Sequence, residues 1–331
     1  MPQRYGDASL TEKLGLLLVL LFTPYVALMS ALTAPWSVHW KKSWSRIITI
    51  RLLRYVFDAA STTQMQWLLG TSVVTYTRWA EKRGCQPIID DIGNGARLLW
   101  AGERRYDRVI LHIPGLAPYV NFPTPLLQAN AALSHLFSHG VTPQHLQIVA
   151  DSAGANIILQ VLSHALHPMV VNTIPRSPLA PILDRADGMP RLKGIYMLAP
   201  YIYFDTSRRS ACYEENGACD VASAVQYRYC GAIIPSVPRN QYPFIEPAVA
   251  PQDWFEDAGR VVERMLVTTG QYEVSRDHIV EFCRDHLRNI EELTCVLVEG
   301  GVHGDPILTF DQAEGKKATD KIVSWLKDGF E

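Results

Sequence analysis

The segment "VADSAGANIILQ", residues 149–160, decides how this chain reads. An apolar, strand-like run, "LQIVA" (146–150), leads straight into Asp151-Ser152-Ala153-Gly154, and an apolar, helix-like run follows. A serine at a sharp strand-to-helix turn, with small residues two positions away on each side, is a nucleophile elbow. The turn holds the serine in a strained backbone conformation and lifts its Oγ above the sheet. Here the small neighbours are Ala150 and Gly154, so the pattern is A-x-S-x-G. The same turn aims the N–H of Ala153 and the positive end of the helix at any oxyanion that forms there. A serine that merely caps a helix would carry the same letters. The context is what separates the two readings.

Outward from this turn, apolar runs alternate with helical stretches. The runs are "RVILHI" (108–113), "LQIVA", "LKGIYMLAP" (192–200), "RMLVTTG" (264–270) and "CVLVEG" (295–300). They lack polar alternation and are separated by helices, which predicts an α/β fold with a mainly parallel central sheet covered on both faces. Before them, "QPIIDDIGNGARLLWAG" (86–102) reads as a hairpin with Asn94-Gly95 at the turn. Residues 36–84 read as amphipathic helices, "SWSRIITIRLLRYVFDAA" and "MQWLLGTSVVTYTRWAEK". Residues 201–250 break the strand–helix rhythm and are rich in aromatics and proline. They are expected to form a lid over the sheet together with 36–84, leaving 85–331 as the catalytic domain. A chain of 331 residues with 48% hydrophobic residues suits one such domain.

A serine hydroxyl needs a base, and the base needs a carboxylate to fix its tautomer. After an elbow of this kind the chain order is serine, acid, histidine, with the last two on loops that follow later strands. His303 lies in the Gly-flanked loop after "CVLVEG", placed to reach back to Ser152. His278 and His286 fall in a helix-like stretch and suit a surface role. Glu273 and Asp277 follow "RMLVTTG", and Asp305 is close to His303, so the residues alone leave the acid open.

The net charge of -2 gives no basic footprint for nucleic acid. The six cysteines show no metal-ligand spacing, and no metal or organic cofactor is implied. Three of them, Cys212, Cys219 and Cys230, lie close enough in sequence for a disulfide, although a core of this size favours free thiols. From Leu14 to Ala34 the chain carries no charged residue, and residues 1–35 form an apolar segment long enough to cross a bilayer. Lys41, Lys42, Arg46, Arg51 and Arg54 follow it, which would keep the domain behind it cytoplasmic. An apolar helix that covers the site of a soluble protein is the alternative.

At these motifs the chain resembles the hormone-sensitive-lipase-like branch of the α/β-hydrolases, the α/β-hydrolase-3 group, and its fungal esterases and deacetylases in particular. The resemblance runs over about residues 85 to 325. It rests on "ADSAGAN" (family G-D-S-A-G-G), "GQYEVSRD" (family E-x-D-x-L-x-D) and "GGVHGDP" (family G-x-x-H). It implies a Ser152–Glu273–His303 triad, with Asp277 as a supporting acid. The family's H-G-G-G oxyanion loop is altered here to Pro114-Gly115-Leu116-Ala117-Pro118. Leu116 or Ala117 would then donate to the oxyanion beside Ala153. Two functions follow. The first is a serine hydrolase that cleaves an acetyl or short acyl ester of a lipophilic substrate, such as a sterol or secondary metabolite. The second is a hydrolase-fold protein that acts on an apolar biosynthetic intermediate by cyclisation, elimination or binding.

Overall fold

The computed structural model describes residues 7–93, 95–115, 122–169, 174–184, 190–204, 210–222, 237–309 and 315–331. The chain opens with two apolar helices, α1 (Leu10–Leu21) and α2 (Thr23–Thr33), joined at Phe22. Pro24 lies in the first turn of α2 and contributes no N–H, so the expected single run becomes two segments. Helices α3 (Trp44–Ala59), α4 (Thr62–Leu69) and α5 (Ser72–Lys82) follow. Gly70, at a φ of 68°, ends α4 and splits a stretch expected to be one helix.

Strands β1 (Ile88–Asp91) and β2 (Arg97–Trp100) pair antiparallel as expected. The N–H of Ala96 bonds the carbonyl of Gly93, and Gly95 takes a φ of 72° within that turn. Asn94 lies outside the described residues. The rest of the chain supplies β3 (Val109–Ile113), α6 (Thr124–Ser138), β4 (Leu146–Asp151), α7 (Ala153–Leu166), α8 (Ala180–Leu183), β5 (Gly194–Leu198), α9 (Ala211–Asn216), α10 (Tyr242–Ile245), β6 (Arg264–Gly270), α11 (Arg276–His286), β7 (Glu292–Val298), α12 (Asp305–Leu308) and α13 (Lys316–Asp328).

The five strands β3 to β7 form one parallel sheet in chain order. Every residue of β5 is buried, while β7 at the edge alternates between covered and exposed positions. β7 starts at Glu292, earlier than expected, because an edge strand tolerates the polar residues Glu292 and Thr294. On one face Leu126, Leu133 and Leu136 of α6 and Ile158, Leu159 and Leu162 of α7 pack in the main core. On the other, Tyr196, Leu198 and Leu266 pack with Ile322 and Trp325 of α13.

Register matters for function. Ile113 pairs with Ala150, Asp151 with Leu198, and Gly270 with Val298. The loops after β3, β4, β5, β6 and β7 therefore leave the sheet along the same edge.

Candidate active site

Ser152 turns the chain from β4 into α7 at φ 52° and ψ −117°, in the region that L-residues avoid. Close packing forces this turn. A Cβ on Gly154 would lie 2.8 Å from the carbonyl oxygen of Pro114 and closer still to that of Ile113, so only glycine fits. Ala150 is wholly buried in register between Ile113 and Met197, and its methyl is accommodated. The Ser152 N–H bonds the carbonyl of Leu198 at 2.8 Å, which ties the elbow to the neighbouring strand.

The Ser152 hydroxyl lies 2.9 Å from Nε2 of His303, and Nδ1 of His303 lies 2.9 Å from Oε1 of Glu273. Glu273 is wholly buried. Its carboxylate accepts from the Thr269 hydroxyl at 2.8 Å, the Gly270 N–H at 2.9 Å and the Ser275 hydroxyl at 2.7 Å. Burial alone would raise its pKa, but His303 and these donors outweigh burial and hold it below the ordinary carboxylate range. Burial disfavours the charged imidazole of His303, yet Glu273 and then the charge of Asp220 outweigh that and raise its pKa above 6.5.

A family model described as an alpha/beta hydrolase fold matches residues 114–306. This chain belongs to the α/β-hydrolase-3 family. Solved structures share the fold of this hydrolase. An esterase of the bacterial hormone-sensitive lipase family superposes at a TM-score of 0.64 with 18% identity, over 88% of this chain and 99% of that one. An esterase/lipase from an uncultured bacterium gives 0.57 with 17% identity, over 85% and 97%. EstE5, soaked with p-nitrophenyl butyrate, gives 0.57 with 16% identity, over 85% and 97%. No curated protein matches the chain in sequence.

The hydrolase elbow is braced by the acidic residue that precedes its serine. The Asp151 carboxylate accepts from the Gly115 N–H at 2.9 Å and pairs with Nε2 of His112 at 2.9 Å, so it pins the start of the loop after β3 against the elbow. A Cβ on Gly115 would come within 3.0 Å of the Ser152 Cβ, which accounts for the one glycine kept in that loop. Leu116 and Ala117 lie outside the described residues. Ala153 opens α7, where the first N–H groups have no acceptor inside the helix. Asp277 stands apart from His303: its carboxylate accepts from the Cys212 N–H at 3.2 Å and from Nε of Arg276 at 2.8 Å. Asp305 forms a buried ion pair with Arg46.

Asp220 is the acid that sequence reasoning missed. It is wholly buried, and it accepts from the N–H groups of His303 at 2.8 Å, Val274 at 2.9 Å and Val221 at 2.7 Å. One carboxylate thus ties the loop of the histidine to the loop of Glu273. Burial, then the charge of Glu273, push its pKa up to about 6. The backbone beside it is held from the N-terminal region, by the turn before α3 and by α3 itself. Nε2 of His39 donates to the Cys219 carbonyl at 2.9 Å, and Arg54 donates to the Asp220 carbonyl at 3.3 Å. Burial lowers the His39 pKa to about 4, so it is neutral in this role.

A pH dependence follows. The neutral imidazole is the base, so turnover is present above the raised pKa of His303 and lost as pH falls through it. Asp220→Asn removes one of the charges that raise that pKa. The acidic limb of kcat/KM should move to lower pH. The unfolding midpoint should also drop, as expected for losing a charge-assisted bond worth about 1.5–3 kcal/mol. A limb that stays in place, measured from pH 5 to 9, would remove Asp220 from the electrostatics of the site.

Proposed function

We propose that this protein is a serine carboxylesterase that works through an acyl-enzyme. The Ser152–His303–Glu273 relay at the common edge of the sheet is the observation that carries this reading. Ser152 Oγ attacks the ester carbon while His303 Nε2 takes its proton. Glu273 holds the imidazole in the right tautomer and stabilises the imidazolium. The N–H groups of Ala153 and of Leu116 or Ala117 would hold the oxyanion. The proton passes to the leaving alcohol, which departs as the acyl–Ser152 bond remains. Water, activated by His303, then releases the carboxylic acid.

A lipophilic alcohol portion, such as a sterol or secondary metabolite, is supported by the aromatic residues around this edge. Tyr201 packs edge-on against His303 at 6.4 Å, and Phe204 lies 5.4 Å from Tyr201. Residues 36–84 and 201–250 would form the lid, and residues 14–34 would hold the enzyme at a membrane with its catalytic domain on the cytoplasmic side.

The test is labelling by a fluorophosphonate probe together with turnover of two ester sets. Acetyl esters of bulky apolar alcohols should be cleaved faster than long-chain acyl esters of small alcohols. The reverse preference would overturn the substrate class. Folded protein that neither labels nor turns over p-nitrophenyl acetate would favour the non-hydrolytic reading of the altered loop after β3.

A further inference from the structure

We propose that Leu10–Trp36 docks flat on the surface of a lipid bilayer, as an in-plane apolar face of the folded domain, and does not cross it. This rests on the membrane reading of the segment and is independent of ester hydrolysis.

The helical segment is 27 residues long and turns one face inward, with Leu16, Ser30 and Ala34 buried in it and Ala8 buried just ahead of it. It is fastened near both ends. Gln64 Nε2 donates to the Glu12 carbonyl at 2.8 Å, and Gly15 leaves the room for that side chain. Arg51 donates to the Ser30 carbonyl at 3.3 Å and to the Thr33 hydroxyl. At 1.5 Å rise per residue these fastenings lie roughly 27 Å apart, close to the full hydrocarbon thickness of a bilayer. A spanning segment would therefore draw α3 and α4 into the hydrocarbon with it. α3 carries Arg46, Arg51, Arg54 and Asp58, which hydrocarbon excludes.

The cations behind the segment also read differently in three dimensions. Arg46 is buried on Asp305, Arg51 is spent on Ser30 and Thr33, and Arg54 holds Asp58 and the Asp220 carbonyl. Lys42 donates to Nδ1 of His39 at 2.8 Å, so four of the five charges that set an orientation in the sequence face the protein.

The outer face is apolar throughout. Leu14, Leu18, Leu21, Tyr25, Leu28 and Leu32 are each between 53% and 64% exposed. Soluble monomers rarely leave so long a continuous apolar stripe in water. Tryptophans stand at its two ends: Trp36, Trp40 and Trp44 at one, and Trp67 beside α1 at the other. Lys13 Nζ sits 5.5 Å from the Trp67 ring and Lys41 Nζ 5.5 Å from the Trp40 ring. Indole rings paired with cations match the bilayer interface, where rings enter the headgroup level and cations meet anionic headgroups. A second copy of the chain would instead bring like charges toward the same rim.

The experiment adds the purified full chain to preformed vesicles of phosphatidylcholine, alone or mixed with phosphatidylserine, and separates them by flotation. The chain should float, more strongly with phosphatidylserine and less in high salt. Lys13→Glu with Lys41→Glu should abolish the phosphatidylserine preference. Leu18→Asp with Leu28→Asp should abolish flotation while leaving the thermal unfolding midpoint close to that of the parent. A chain that stays in solution, or one that dimerises through this face without floating, overturns the proposal. In sealed microsomes, epitopes at both termini should be digested by added protease without detergent. Protection of one terminus would show a spanning helix and overturn it as well.

Discussion

Ser152→Ala should abolish fluorophosphonate labelling and lower p-nitrophenyl acetate turnover by roughly a million-fold, the loss seen when the nucleophile of such a relay is removed. At about 1.36 kcal/mol per factor of ten this is close to 8 kcal/mol of transition-state stabilisation. The loss is that large because the groups around Ser152 act as a unit. His303 and Glu273 keep their hydrogen bond to one another but have no oxygen left to activate. Among the described residues, the Ser275 hydroxyl does not take the role, because it donates to Glu273 at 2.7 Å, on the far side of the imidazole from the elbow. The variant should fold, since alanine replaces only the hydroxyl and the backbone at φ 52° is held by Gly154, Gly115 and the Leu198 carbonyl. Equal labelling of parent and variant, in protein of unchanged thermal midpoint, would place the reactive residue elsewhere.

The parts of the site that were legible in the sequence are those that the sheet fixes. Parallel strands in register put the residues just after β4, β6 and β7 on one edge, so strand ends pointed to Ser152 and His303, while the choice of Glu273 over Asp277 and Asp305 came from the family resemblance. The hairpin was legible from a different signal, the Asn94-Gly95 pair. The register of the sheet gave nothing for Asp220, which follows α9 in a region without a strand, at no fixed spacing from the elbow. It gave nothing for His39 or Arg54 either. Their partners are backbone carbonyls more than a hundred residues away, and a carbonyl has no letter of its own. Asp277 was paired with the acid by pattern, but its place in the first turn of α11 directs it to Arg276 and the N–H of Cys212. The positive charges after Ala34 are a related case. A count of cations along a chain cannot show that Arg46 and Arg51 are already taken up by the fold.

Glu273→Gln should lower kcat by about ten thousand-fold, as the amide of a triad acid does elsewhere. The structure shows why so small a change matters here. The Glu273 carboxylate faces only donors: Nδ1–H of His303 and the Ser275 hydroxyl on one oxygen, the Gly270 N–H and the Thr269 hydroxyl on the other. An amide must turn its NH2 toward one of those sides. Toward Gly270 it sets two donors against each other in a wholly buried place and shifts the acid loop. Toward His303 it forces the proton onto Nε2, and the imidazole can no longer accept from Ser152. In both cases the imidazolium also loses the charge that raises its pKa, so the residual activity should show an acidic limb at lower pH. Asp220 cannot step in, because its oxygens are held by the backbone N–H groups of His303, Val274 and Val221 and none reaches the ring. The comparison of Glu273→Gln with Asp220→Asn is therefore decisive. A loss of less than about tenfold in the first, with a larger loss in the second, would make Asp220 the acid of the relay and Glu273 its support.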